Sequence, residues 1–338
     1  MQKVLSLARA GISELFQPIG MKNLIINGNF DIWQRGTSFA AATGYTADRF
    51  SISKVGTTVG TVSQEADSPG SLSPVYSGYC LRHRVTTAQA TLRTSDVYRL
   101  RYTVEGYHTR LIFGQPFTLS FWVKATMPGI YCVSFRNTDS TYSYVDEFSV
   151  NAANTWEKKI IIVPAPPLGI AWDYESGVGL RVSWALAAGT THQTTPKGWR
   201  AGNFSGTSKQ INAVAAVNND FSISQVQLEP GIVATEFEQR SFDQEFNLCR
   251  RYYLRMVLTA TGYAPTADST LYFPLIISQA MRVTPSFSLV GGTERSNVYD
   301  AVTIAYDYPN STAYLGLAPE GEGMVSLTNE VWEGNSEY

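Results

Sequence analysis

The sequence predicts a mainly β chain built round a two-sheet sandwich, followed by one connecting helix and a small second β domain. Three observations point there. Apolar and polar residues alternate with a period of two in several segments after Asn23, turn-forming Gly, Pro and Asn pairs punctuate them, and only one later segment carries a clear helical stripe. At 338 residues and 44% apolar composition, the chain can bury a large core and divide in two.

In chain order, Val4, Leu5, Ala8, Ile12, Leu15 and Phe16 fall at helical spacing, and Pro18-Ile19-Gly20 ends the segment. This predicts a short amphipathic helix within residues 1–22, which either covers its own domain or docks the molecule to a larger assembly. Ser6, Arg9, Ser13 and Glu14 interrupt the apolar run that a signal peptide needs, and no later run reaches membrane-spanning length. A soluble chain without membrane insertion is expected.

Residues 23–240 read as the sandwich. In "NLIINGNFDIWQRGTSF", Leu24 to Ile26 starts a first strand, Asn27-Gly28 turns it, and Phe30, Ile32 and Trp33 cover the end of the core. In "YRLRYTV" the set Tyr98, Leu100, Tyr102 and Val104 alternates with Arg99, Arg101 and Thr103. "FTLSFWVKA" repeats the pattern from Phe117 to Ala125, and "GLRVSWALA" turns Leu180, Val182, Trp184 and Leu186 inward. "KKIIIVPAP" holds an unbroken Ile160 to Val163, the signature of a strand covered on both faces. Pro128-Gly129 and Glu229-Pro230-Gly231 supply turns. In "FSISQVQLEPG" the phase slips between Ile223 and Val226, which predicts a bulge or a sheet-switching corner.

Residues 241–338 begin with "SFDQEFNLCRRYYLRM", where Phe242, Phe246, Cys249, Tyr253 and Met256 form a helical stripe and Ser241 with Gln244 has the spacing of a capping box. Strand alternation resumes at Leu271, Phe273, Leu275 and Ile277, with Pro274 marking an edge strand or bulge, and again at Val302, Ile304, Tyr306 and Tyr308. Tyr299, Tyr306, Tyr308, Tyr314 and Trp332 exceed what so small a domain readily buries, so they read as residues of an obligate interface.

Charge narrows the function. A net charge of -2 with 16% charged residues leaves no basic stripe, so nucleic acid is excluded as a partner. Cys80, Cys132 and Cys249 are odd in number and widely spaced, and read as reduced and buried. His83, His108 and His192 adjoin no nucleophile or metal set, and no phosphate-cradling loop or nucleophile elbow is present. Asp173 and Glu175 in "AWDYES" stand two residues apart, about 6.5 Å on one strand face, but nothing in the sequence gives them a pocket. They read as surface acids, and Asp48-Arg49 as a local ion pair or strand cap. No enzyme activity is expected.

The segments "NLIINGNF", "FTLSFWVKA" and "ISQVQLEPG" resemble the carbohydrate-binding jelly-roll modules appended to polysaccharide-degrading enzymes. More broadly, "NLIINGNFDIWQRGTSF", "YTADRFSI", "GWRAGNFSG" and "VQLEPGIVATEFEQRSFDQEFNLCRRYY" resemble a family of bacteriophage virion proteins, usually tail fibres or related structural components, over about Asn23 to Tyr253. The resemblance implies a jelly roll and assembly in the host cytoplasm onto a phage tail or another external particle surface. It also implies virion partners, met through the N-terminal helix, host surface polysaccharide as a ligand and, from the symmetry of tail tips, a homotrimer whose interface the aromatic C-terminal strands supply. The alternative is a purely structural virion part, such as a neck, baseplate or capsid-decorating protein. In the carbohydrate-binding relatives, acids near the first turn and in the closing strand often hold calcium. Here Asp31 remains but Ser224-Gln225 replaces the second set, and no metal or cofactor is assigned.

For sugar recognition, aromatic rings that stack on pyranose faces beside loop amides and hydroxyls are the candidates. They are Tyr142 and Tyr144 in "DSTYSYVDE", Trp172 and Tyr174 in "AWDYES", and Trp199 in "TTHQTTPKGWRAGN".

Overall fold

The structure, a computed structural model, describes residues 21–266, 269–277, 279–291, 294–296, 298, 302–307, 312–320 and 323–338. The helix expected within residues 1–22, apart from the last two residues of that range, lies outside them, as do Tyr299 and Tyr308.

Thirteen strands make the first domain: β1 (Ser38–Phe39), β2 (Gly44–Tyr45), β3 (Phe50–Val55), β4 (Val59–Glu65), β5 (Cys80–Thr87), β6 (Val97–Glu105), β7 (Phe117–Ala125), β8 (Gly129–Arg136), β9 (Tyr142–Val150), β10 (Glu157–Val163), β11 (Val178–Ala188), β12 (Trp199–Ala201) and β13 (Asp220–Pro230). They pair antiparallel into a six-stranded sheet, β1-β4-β5-β13-β7-β10, and a seven-stranded sheet, β12-β9-β8-β11-β6-β3-β2. The two face each other as a jelly-roll sandwich. Leu119, Phe121 and Val123 of the first share one core with Leu100, Tyr102, Val182 and Trp184 of the second. Phe121 meets Trp184 edge-on at 5.6 Å and Phe148 at 5.2 Å.

Two strand expectations change. Leu24 to Ile26 is fully buried but joins no ladder; its backbone bonds β13 through Leu24 N to Leu228 O at 2.8 Å. The register of β13 against β7 shifts between Ser224 and Gln227, with Gln225 at φ 48°, which is the expected bulge. The Asn23 side chain serves the irregular stretch, donating to Val226 O (3.0 Å) and accepting from Ile25 N (2.9 Å) and Leu228 N (3.0 Å). The other correction is Ile160 to Val163. β10 is an edge strand, so only Ile161 and Val163 enter the core, while Ile160 and Ile162 are exposed.

The connecting helix, preceded in the chain by the single turn α1 (Gly106–Thr109), is α2 (Phe242–Arg250), with Ser241 Oγ accepting from Gln244 N at 3.3 Å. It ends earlier than its stripe predicts. Tyr253 and Met256 belong to the next strand, and Phe242 is exposed. The second domain comprises β14 (Tyr253–Ala264), β15 (Leu271–Ile276), β16 (Ser286–Gly291), β17 (Glu294–Ser296), β18 (Thr303–Asp307), β19 (Thr312–Leu317) and β20 (Gly323–Asn335). β20 pairs with β14, β16 and β17, and β19 lies between β15 and β18. Pro274 thus sits in an edge strand, where a missing N–H is tolerated. Trp332, expected at an interface, is buried in this domain's own core with Leu315, Leu317, Val325 and Leu327.

Asp48 and Arg49 do not pair with each other. Asp48 accepts both the backbone and side-chain N–H groups of Gln34 at 2.7 Å. Arg49, almost wholly buried, pairs with Glu337 near the C-terminus, donates to Thr103 O at 2.6 Å, and lies 3.4 Å from the Tyr252 ring centroid. Beside it Arg251 forks onto Glu105 at 2.6 and 3.0 Å, and Tyr252 Oη donates to the same carboxylate at 2.5 Å. These pairs join the two domains. The three cysteines are free and buried.

Candidate functional site

Two loop systems meet at one end of the sandwich: the segment 106–116 between β6 and β7, and the segment 164–177 between β10 and β11. The second opens with Pro164, Pro166 and Pro167, whose fixed φ stiffens it. Asp173 closes it as a turn. Its carboxylate accepts Glu175 N–H at 2.8 Å and Gly177 N–H at 3.1 Å, while its own N–H donates to Thr138 Oγ1 at 2.8 Å. The first segment clamps it through Tyr107 N to Glu175 O (2.7 Å), Gly106 N to Gly177 O (2.9 Å) and Arg110 Nε to Tyr174 O (2.6 Å). The approach is so close that a Cβ at Gly106 would stand 2.2 Å from Asp173 Oδ1.

Between the segments lies a cleft of about 240 Å³, lined by Phe113, Pro167, Leu168, Ile170, Trp172 and Tyr174 among others. Phe113, 58% exposed, meets Tyr174 edge-on at 5.3 Å. Trp172 donates Nε1–H to Pro167 O at 3.4 Å and packs edge-on against Trp199 at 5.6 Å. Trp199 in turn donates to Pro164 O at 3.1 Å and leans on Tyr144 at 5.7 Å.

The predicted aromatics therefore divide. Trp172 and Tyr174 line the cleft; Trp199 braces Trp172 from behind. Tyr144 is 3% exposed and belongs to the sandwich core, so its ring offers no face to a ligand. Tyr142 stands opposite Ala201 along β9, outside the cleft lining. Phe113, which is not among the predicted contacts, also lines the cleft, and its setting in "IFGQP" is the same aromatic-in-a-loop signal.

A second cleft, of about 180 Å³ and holding none of the predicted contacts, lies where the start of α2 meets the first turn. Asn29, Asp31, Tyr76, Gln239, Arg240 and Phe242 line it, with Tyr76 78% and Phe242 60% exposed. Asn29 Nδ2 donates to Asp31 Oδ2 at 3.0 Å, and burial raises the Asp31 pKa above the usual carboxylate value. The neighbouring carboxylates Glu238 and Glu245 both bond Arg240 at 3.0 Å. Among the described residues no cluster of three or more His, Cys, Asp or Glu side chains is placed to hold a metal.

No protein-family model matches the sequence, and no curated protein matches it either. Among solved structures, the chain is similar to the enzymatically active domain of bacteriophage CBA120 tailspike protein 4, at 14% identity and a TM-score of 0.35, over 62% of this chain and 22% of that one. It is also similar to TmCBM61 in complex with β-1,4-galactotriose, at 11% identity and a TM-score of 0.32, over 62% of this chain and 100% of the module. A third similar structure is the family 11 carbohydrate-binding module of cellulosomal cellulase Lic26A-Cel5E of Clostridium thermocellum, at 8% identity and a TM-score of 0.31, over 59% and 98%. The chain thus spans less than a quarter of the tailspike structure.

Proposed function

We propose that the protein is a glycan-recognising, non-enzymatic component of a bacteriophage virion, carried on the tail or another external particle surface. The observation that carries the glycan part is the convergence of Phe113, Trp172 and Tyr174 on one cleft, on loops that a rigid sandwich holds in place. Ring faces of this kind receive the C–H faces of sugars, and exposed Arg110 and Glu175 at the cleft's edge supply polar groups. The virion placement, and attachment to other virion proteins through residues 1–22, rest on the sequence resemblance alone.

The test is binding of the purified full chain to host cells and to their extracted surface polysaccharide. Trp172→Ala is expected to weaken binding by about 2 kcal/mol, roughly thirtyfold, with little change in melting. Failure to bind any surface polysaccharide sinks the glycan reading. The same assay is expected to release no reducing ends; turnover abolished by Asp173→Asn would overturn the non-enzymatic part. The lining of Pro167, Leu168 and Ile170, with Leu168 76% exposed, favours a second reading. There the cleft seats an apolar segment of a neighbouring virion protein, and Trp172→Ala removes the chain from particles instead.

A further inference from the structure

The outer face of the seven-stranded sheet carries charge that no carboxylate in contact balances. The alternation that turns Tyr98, Leu100 and Tyr102 into the core turns Arg99 and Arg101 outward. Across the sheet, Arg101 stands opposite Ser183, Ser183 opposite Ser134, and Arg181 opposite Arg136. The four arginines therefore border Ser183 and Ser134 on one face.

They are not freely solvated. Arg136 is 3% and Arg99 6% exposed, beneath the segment that follows β12. Arg99 Nη1 donates to Ser205 Oγ at 3.0 Å, while Arg136 donates to Asn203 Oδ1 at 2.8 Å and Ser183 Oγ at 2.9 Å. Arg101 Nε reaches Ser51 Oγ at 3.2 Å, and Arg181 Nη1 bonds Thr138 O, Asn137 O (3.3 Å) and Ser140 Oγ (3.3 Å). Every one of these partners is neutral. The Nε atoms of Arg99 and Arg136 and the Ser134 hydroxyl are buried without a hydrogen-bond partner among the described residues.

Other arginines are held differently: buried Arg49 and partly buried Arg240 and Arg251 each meet a carboxylate, and buried Arg282 donates to three backbone carbonyls, of Ser176, Ser336 and Glu337, and leaves no Nε–H unpaired. At Arg99 and Arg136 burial comes first, and the charges acting on both are those of other arginines. Together they push the Arg99 pKa down to about 10 and hold that of Arg136 well below its ordinary value. Asp139 acts on Arg181 without forming an ion pair with it. A guanidinium does not discharge to escape such a setting, so the buried positive charge calls for an anion.

We propose that Arg99, Arg101, Arg136 and Arg181 form an oxyanion site, in which a carboxylate or sulfate group enters past half-exposed Arg101 and Arg181 and is held over Ser183 and Ser134. The group belongs to an acidic saccharide or to a free ion. Asn137 and Thr138, which bond Arg181, also hold Ala171 O (3.0 Å) and Asp173 N (2.8 Å), so the quartet adjoins the loop that carries Trp172. The site stands independently of the aromatic cleft.

The experiment is calorimetric titration of the full chain with sulfate at fixed ionic strength, chloride being the replaced ion, alongside affinity electrophoresis through a uronate-containing polysaccharide and through a neutral glucan. Sulfate is expected to bind the wild type and to bind the Arg101→Gln/Arg181→Gln variant at least tenfold more weakly. Those two positions are half-exposed, and circular dichroism checks that the variant folds. Retardation by the uronate gel alone, lost in the variant, identifies an acidic saccharide; sulfate binding with no retardation identifies a free ion. Absence of sulfate binding, or equal binding by the double variant, overturns the site. Trp172→Ala retains sulfate binding even if glycan recognition at the cleft fails.

Discussion

His83, opposite Val62 of β4, is 1% exposed, with Nε2 2.9 Å from Tyr98 Oη, and burial pushes its pKa down to about 4. The unfolded chain takes up this proton near pH 6.5 while the folded chain refuses it until about 4. His83 therefore withdraws stability as pH falls across that window, by up to about 3 kcal/mol. Asp48 acts in the opposite sense. Burial raises it to about 6 despite Arg35 and the Gln34 hydrogen bonds, so the folded chain gains its proton before the unfolded one and stability returns as pH falls from 6 towards 3.8. The two effects overlap and offset each other. Relative to wild type, His83→Gln is expected to gain about 3 kcal/mol in urea unfolding between pH 7 and pH 4. Asp48→Asn is expected to lose stability relative to wild type over the same range. A His83→Gln difference that stays flat with pH would show that His83 is not held neutral.

The bulge in β13 shows how one side chain can stand in for a ladder. Asn23 is 1% exposed and supplies three hydrogen bonds where the backbone of Leu24 to Ile26 cannot pair regularly. Asn23→Ala leaves buried amide and carbonyl groups unpaired and is expected to cost about 3 kcal/mol, with faster hydrogen exchange at the Leu228 amide as the local readout. The bulge itself was legible, because a phase slip between Ile223 and Val226 is written in the sequence. So were the inward faces of β6, β7 and β11, where period-two alternation picks out the side chains that enter the shared core, although most of the outward ones are covered too. The edge position of β10 was not legible: Ile160 and Ile162 look like core residues until strand order places them at a rim. The helical spacing overruns the end of α2 because Tyr253 and Met256 continue it by coincidence, while pairing with β20 draws them into a strand. At the candidate site, aromatic type and loop setting marked Trp172 and Tyr174 but could not separate them from Tyr144. The arginine quartet depends on the register of three strands, which no local pattern records.

The two domains are tied by Arg49 with Glu337 and by Arg251 with Glu105, all four largely buried. Glu337→Gln leaves the Arg49 guanidinium buried without its counter-charge and is expected to cost about 3 kcal/mol, seen as a lowered urea midpoint. The second domain also bears on assembly. Its core lies between its two sheets, Leu315 and Leu317 of β19 meeting Val325 and Leu327 of β20, so each sheet keeps an outer face. On one, Tyr272 is 69% and Ile276 95% exposed, with Tyr314 beside Pro274. On the other, Val257 is 64% exposed, and Tyr263 stands opposite Met324 at 56% and 64% exposure. Exposed apolar surface on this scale marks contact sites. Two different faces on opposite sheets suit a heterologous contact, in which one copy's first face meets the next copy's second, and such contacts form a ring where the rotation between copies closes. The expected homotrimer is one such closed ring, and three copies would also raise avidity for a repeating glycan by about two to four orders of magnitude. Sedimentation equilibrium of the full chain at micromolar concentration is expected to give a three-chain mass. Ile276→Glu, at the most exposed apolar position of the first face, is expected to shift that mass to one chain while leaving circular dichroism unchanged. A wild-type chain that sediments as a monomer would show that these faces meet another partner.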